Sequence, residues 1–272
     1  MSRFTRPAAA LAGVAALAHG LTACGGSAET SSDGDSLGTI SVGATAVPAG
    51  ELLEFVATEL APAEGLTVEV QEYSDYNTPN TALAQGANDA NLFQHGPFLD
   101  LYIEDSGADL VNVGEVYLPP LALYSEKVDA LEDLPEGATI ALPNDASNES
   151  RALLLLASAG LIETTEAPTT ISDITANPKG YEFSEIDAAS LPQALQQMDA
   201  AVVNFNFASA AGIDSDLQLL SEGQDSEYFN ILATRGELKD DPRVQKLYEL
   251  LTSQEAKDWL EETYNGLVIP AE

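Results

Sequence analysis

From residue 37 onward the apolar positions switch repeatedly between a period of two and a period near 3.6, the pattern of strands alternating with helices. Residues 39–44 read as a strand, and Leu52, Phe55, Val56 and Leu60 line one face of a helix over 51–61. Residues 66–73 alternate as a second strand, and a helix over 79–85 follows with Asn77 or Thr78 as its N-cap. A short strand over 90–93, a helix over 98–106 and a strand over 109–116 continue the succession, which predicts βαβ units and a mostly parallel sheet. Residues 118–124 are extended and carry Pro119 and Pro120, as a passage between lobes would. A second α/β unit follows: strand 139–142, a strongly apolar helix 150–159 ended by Gly160, strand 181–186, helix 191–198 and strand 201–205. An extended stretch over 228–233 leads back, and helices over 242–251 and 254–264 close the chain. Two crossovers predict a two-lobed, hinged α/β binding protein, with lobe 1 over 38–120 and 229–272 and lobe 2 over 121–228.

The first residues follow a different logic. Arg3 and Arg6 precede an apolar run over 8–18, far short of the ~20 residues that span a bilayer, so the run reads as a signal-peptide core. It ends at Leu21-Thr22-Ala23-Cys24, the pattern of a lipoprotein cleavage site built on the chain's single cysteine. Residues 1–23 are then the signal peptide, Cys24 the lipidated N-terminus, and the Gly/Ser/Asp-rich stretch within 24–37 a tether. The expected location is the extracytoplasmic side of the cell membrane, held by lipid.

Charge narrows the partners. With 44 acidic residues and, after Arg3 and Arg6 are removed, eight basic ones, the mature chain carries a net −36. Phosphate backbones need basic patches, so nucleic acid is not an expected partner. A saline or variable medium and simple solubility explain the acidity equally well. His95 is the mature chain's one histidine and there is no free thiol, so zinc and cysteine chemistry lack residues, and a Ser-His-Asp triad could use only His95. No phosphate loop, dinucleotide fingerprint or calcium-loop spacing occurs, and no cofactor or metal is expected.

Four turns at the carboxyl ends of predicted strands, where open α/β sheets bind ligands, concentrate the remaining chemistry. They hold Tyr76, then Phe93 and His95, then Asn148 and Arg151, then Asn204. Rings, amides, one imidazole and one guanidinium suit a small zwitterion with an apolar side chain. Arg151 is the only basic residue between Lys127 and Lys179 and falls near a helix start, where a cation is disfavoured and an anion favoured. A ligand carboxylate would resolve both; an ion pair with Glu149 or another nearby acid is the plainer alternative. Phe93 as core, Tyr76 as a surface ring and Asn204 as a helix cap are likewise open.

Asp75-Tyr76 with Pro79-Asn80, Asn91 with Phe93-Gln94-His95-Gly96-Pro97, Pro143-Asn144-Asp145 with Asn148 and Arg151, Asn177-Pro178-Lys179, and Val203-Asn204 together resemble the NlpA lipoprotein family, the substrate-binding subunits of methionine ABC importers. Ser74, Pro119, Ala146 and Glu149 depart from its usual residues. The resemblance implies a two-lobed periplasmic-binding-protein fold of type II-like layout, capture of L-methionine or a related amino acid between the lobes, and delivery to a permease and ATPase complex. It implies Arg151 on the ligand carboxylate, Asn148 and Asn204 as polar contacts, and Tyr76, Phe93 and His95 around the thioether. No catalytic residue is implied. The alternatives are another amino acid or short peptide as ligand, or an enzyme on the same fold using His95.

Overall fold

The computed structural model of the protein describes residues 36–272. The expected signal peptide, the lipidation site Cys24 and all but the last two residues of the expected tether lie outside the described residues. In chain order the strands are β1 (Gly38–Thr45), β2 (Leu66–Tyr73), β3 (Ala90–His95), β4 (Leu110–Leu118), β5 (Leu121–Tyr124), β6 (Thr139–Pro143), β7 (Glu163–Thr164), β8 (Ile174–Ala176), β9 (Glu182–Ile186), β10 (Ala200–Asn204), β11 (Gln218–Ser221), β12 (Asn230–Arg235) and β13 (Ile269–Pro270). The helices are α1 (Glu51–Phe55), α2 (Thr78–Ala84), α3 (Gly96–Ser106), α4 (Ala146–Ser158), α5 (Leu191–Leu195), α6 (Phe205–Ala210), α7 (Pro242–Leu251) and α8 (Gln254–Thr263), joined by shorter helical turns.

Two sheets result, one ordered β13-β4-β12-β3-β1-β2 and the other β11-β5-β10-β6-β9, with β7 and β8 as a separate pair. Each is the centre of one lobe. The chain leaves the first sheet after Leu118, passes through Pro119 and Pro120, and enters the second at Leu121. It returns between Ser221 and Asn230. The sheets are mixed rather than mostly parallel. β1 is parallel to β2 and β3, and β6 to β9 and β10. The crossing strands break the pattern: β12 runs antiparallel to β3 and β4, β5 to β10 and β11, and β13 to β4. Hydrophobic periodicity reports burial and is silent on strand direction.

Both faces of each sheet are covered, which is why β3 and β10 are buried along their whole length instead of alternating. On the first sheet, Ile40, Val42 and Leu92 pack with Leu52, Leu247 and Leu260 on one side. Leu83, Leu99, Ile231 and Ala233 fill the other. On the second, Ile140 and Val202 meet Leu153 and Leu156 of α4, while Ala141 and Val203 meet Leu191 and Leu195. Leu153 and Leu156 are fully buried, and each such side chain contributes roughly 1.5–3 kcal/mol of transfer free energy. Past its end, Gly160 takes φ +72°, and Leu161 N–H returns to Leu156 O at 3.1 Å, a left-handed closure that a side chain would strain.

Two helix starts differ from expectation. Neither Asn77 nor Thr78 caps α2 with its side chain; the Asp75 carboxylate accepts from both their backbone N–H groups at 2.7 Å. Helix α4 begins at Ala146, not at residue 150, because Asp145 Oδ1 accepts from Asn148 N at 2.9 Å. The amide end of α4 thus faces its own carboxylate, and Arg151 lies in the second turn.

Candidate functional site

The ends of β3 and β10, the turn after β2 and the start of α4 converge between the lobes. They surround a small cavity lined by Tyr76, Phe93, His95, Asn148, Arg151 and Asn204, together with Gln94, Phe98, Pro119, Phe205, Asn206 and Asn230. All six residues singled out in the sequence meet there. Phe98 and Asn206 belong to two of the four turns marked in the sequence without being singled out there, and Asn230 lies outside all four. Asn230 begins the returning strand β12, opposite His95 and Tyr117, a position that only the tertiary pairing defines.

One wall is aromatic. The Tyr76 ring lies 4.8 Å from Phe207, 5.8 Å from Phe98 and 6.0 Å from Phe93, centroid to centroid. Phe93 and Phe98 meet edge to face at 5.9 Å. Tyr76 is not a surface ring: its hydroxyl donates across the cleft to Asn206 Oδ1 at 2.5 Å. Burial raises its pKa, so the group stays protonated.

The opposite wall is polar, and its hydrogen bonds are ordered by the acceptor-only Asp145. Both Asp145 oxygens accept from Asn148 Nδ2, at 2.9 and 3.1 Å. That fixes Asn148 Oδ1 toward the cleft, where Asn204 Nδ2 donates to it at 2.7 Å. Asn204 is fixed in turn, and its Oδ1 is a buried acceptor with no partner among the described residues. A buried acceptor left unpaired costs about 1–3 kcal/mol, so the site is built to receive an N–H donor. Asn204 opens α6 without a capping bond, so the helix-cap alternative does not hold.

His95 is fixed from the same side. Its Nδ1 accepts from Phe98 N at 3.3 Å, capping α3, and Nε2 faces Asn148 Oδ1 at 3.3 Å. Both contacts are satisfied only by the neutral ring with its proton on Nε2. Burial, then the charge of Arg151, lower its pKa to about 3, the bond to Asn148 offsetting part of this. A ring held neutral by burial, with both nitrogens engaged, is poorly placed for the proton transfers that the enzyme alternative asks of it.

Arg151 is 2% exposed, and its ion-pair partner is neither Glu149 nor any residue near it in sequence. Nε donates to Glu222 Oε1 at 2.7 Å, and Nη2 donates to Glu222 Oε2 and, at 2.9 Å, to Pro119 O. The guanidinium carbon lies 4.7 Å from the centre of the Tyr228 ring. Nη1 donates to no acceptor among the described residues. Glu149 instead accepts from Ile171 N at 2.7 Å. Among the described residues, Arg151 is the only lysine or arginine in the cavity lining. Three of the five cations over 235–257 pair with carboxylates elsewhere: Arg235 and Arg243 with Asp89, and Lys246 with Glu64 and Glu249.

Known proteins share this architecture. A nutrient-binding protein from Burkholderia cenocepacia, solved bound to methionine, is 41% identical, with a TM-score of 0.81 over 86% of this chain and 100% of that one. A periplasmic substrate-binding protein of an ABC transporter from Coxiella burnetii is 42% identical, with a TM-score of 0.82 over 85% of this chain and 100% of that one. The D-methionine-binding lipoprotein MetQ of Salmonella typhi is 39% identical over 209 residues, 74% of this chain and 77% of its own. The family model for NlpA lipoproteins matches residues 40–272, and with this fold and these relatives the chain belongs to the NlpA lipoprotein family.

Proposed function

We propose that the protein is the substrate-binding lipoprotein of an ABC importer, and that it holds methionine, or an amino acid close to it, as a zwitterion between its lobes. The observation that carries this reading is the pairing, inside one buried cavity, of the Arg151 Nη1 donors, which no described residue accepts, with an unpartnered acceptor on Asn204, beside an aromatic wall. The ligand carboxylate goes to Arg151 and its ammonium to Asn204, with Asn148 holding Asn204 in place. Tyr76, Phe93 and His95 surround the side chain, and thioether–ring contacts contribute about 0.3–1.5 kcal/mol each. The methionine seated in the Burkholderia relative and the name of the Salmonella one support that choice of side chain.

In this reading lobe 1 comprises 38–120 and 229–272, lobe 2 comprises 121–228, and the two crossovers are the hinge. Cys24 carries the lipid that holds the mature chain on the outer face of the cell membrane, since an acidic body is repelled by anionic lipid. The protein hands its ligand to a permease and ATPase complex. The test is to denature the purified protein and identify the released small molecule by mass spectrometry, then titrate the refolded protein with L- and D-methionine. Release of an unmodified amino acid is expected. A chemically altered product would favour an enzyme on this fold. Cys24→Ala is expected to leave the protein unprocessed or released from the membrane.

A further inference from the structure

We infer that Glu222 is a positioning residue for ligand capture, one that dictates which edge of Arg151 a ligand meets; this rests on the amino-acid-binding reading above. A guanidinium has five N–H donors. Three are consumed within the protein: Nε–H by Glu222 Oε1, and the two on Nη2 by Glu222 Oε2 and Pro119 O. Only the pair on Nη1 has no acceptor among the described residues. A ligand carboxylate therefore meets one nitrogen and not the Nε/Nη2 edge of the planar fork, because Glu222 already occupies that edge in bidentate fashion.

Glu222 is not a loose competitor that a ligand displaces. Its side chain is 9% exposed. Oε2 also accepts from Leu121 N at 3.0 Å, and its backbone N–H donates to Leu121 O at 3.1 Å. Swinging it away would strand a buried carboxylate and several donors, a loss typical of breaking a buried pair. Its place in the chain adds a consequence. Pro119 and Leu121 flank the outgoing crossover, and Glu222 begins the returning one. The Arg151–Glu222 pair therefore ties both hinge strands to the guanidinium that a ligand touches.

Charge follows the same logic. Glu222 neutralises Arg151 before any ligand arrives, so the cleft does not offer an uncompensated positive charge. A ligand with matched ammonium and carboxylate fits this balance. The same thioether acid without its amino group, 4-(methylthio)butanoate, brings a net negative charge and leaves Asn204 Oδ1 unpaired. It is expected to bind at least about a hundredfold more weakly than methionine, twice the 1.4 kcal/mol that corresponds to tenfold.

The test uses mature protein stripped of ligand by unfolding and refolding. In ¹⁵N-arginine-labelled wild type, the Arg151 Nε–H resonance should be slow to exchange without ligand and remain so when methionine is added. Glu222→Gln should lose that protection and bind methionine at least about tenfold more weakly. Methionine amide is a cation with no carboxylate for Arg151, so losing the Glu222 charge should weaken it too, but by clearly less than methionine, whereas a general loosening of the fold would weaken both ligands alike. Unchanged or tighter methionine binding in Glu222→Gln would overturn the proposal. So would a wild-type Nε–H signal that loses protection when methionine binds, which shows the carboxylate displacing Glu222; this arm needs no variant to fold. Wild type that keeps a protected Nε–H but binds no methionine would instead refute the amino-acid reading and leave the clamp standing.

Discussion

The hydroxyl of Tyr76, on the turn that leaves β2, donates at 2.5 Å to Oδ1 of Asn206, on α6 of the other lobe. This bond, with the Tyr76 ring against Phe207 at 4.8 Å, bolts the lobes together beside the cavity. Opening the cleft would break it. Tyr76→Phe keeps the ring and removes the bond, leaving Asn206 Oδ1 without its donor at a cost of about 1–3 kcal/mol. Methionine affinity is expected to fall by roughly fivefold to a hundredfold, chiefly through faster dissociation read by stopped-flow fluorescence. Small-angle scattering of the refolded, ligand-free protein should show a less compact particle than the bound one. Identical dissociation rates in wild type and Tyr76→Phe would remove the bolt.

His95 is expected to remain neutral through the physiological range. Its folded pKa, about 3, lies below the ordinary 6.5, so the unfolded chain binds more protons between those values. Its contribution to stability is therefore complete above about pH 6.5 and is lost as pH falls toward 3. The mature chain has no other histidine, so ¹H–¹⁵N spectra should show a single ring, protonated on Nε2, that does not titrate between pH 8 and 5. A midpoint near 6.5 would mean that the cleft is open to water and that the contact to Asn148 is absent.

Glu149 predicts the opposite slope. Burial, then the neighbouring Glu185, raise its pKa from 4.5 to about 7, against the pull of the bond from Ile171 N. The folded protein thus binds more protons than the unfolded chain between those values, and stability falls as pH rises from about 4.5 to 7. Glu149→Gln can still accept from Ile171 and removes the repulsion with Glu185 and Asp145. It should be more stable than wild type above pH 7, on the order of 1 kcal/mol or about 2–4 °C in Tm. A variant that melts below wild type at pH 8 would contradict this.

What could be read from the sequence divides along physical lines. The candidate residues Tyr76, Phe93, His95, Asn148, Arg151 and Asn204 lie at the ends of strands whose apolar runs are plain, so their meeting follows from the general geometry of α/β sheets. Glu222 did not stand out, because one carboxylate among 44 acidic residues carries no local signal and its partner Arg151 is 71 residues away. Asn206 and Asn230 matter through the elements they face, which periodicity does not encode. Strand β11 has four residues and no alternation, and β13 has two, so both depend on their neighbours in the sheet. The apolar period marks the start of α4 four residues late because Ala146, Ser147, Asn148 and Glu149 lack the apolar stripe of the rest of the helix. Pro119 departs from the family's usual residue, yet what it supplies to Arg151 is a backbone carbonyl, which any side chain leaves intact.

The central claim is that Arg151 receives a ligand carboxylate in a closed, buried cleft. Calorimetric titration of L-methionine into refolded wild type and Arg151→Ala tests it most directly, with circular dichroism to verify that the variant is folded. Removing one partner of a buried charge pair costs about 2–5 kcal/mol, against about 0–1 kcal/mol for an exposed pair. The account predicts at least a roughly thirtyfold loss of affinity. Arg151→Lys should also be impaired, because one ammonium cannot serve both Glu222 oxygens, Pro119 O and the ligand at once. Methionine affinity close to wild type in a folded Arg151→Ala would contradict the account and leave Arg151 as a structural tie of the hinge.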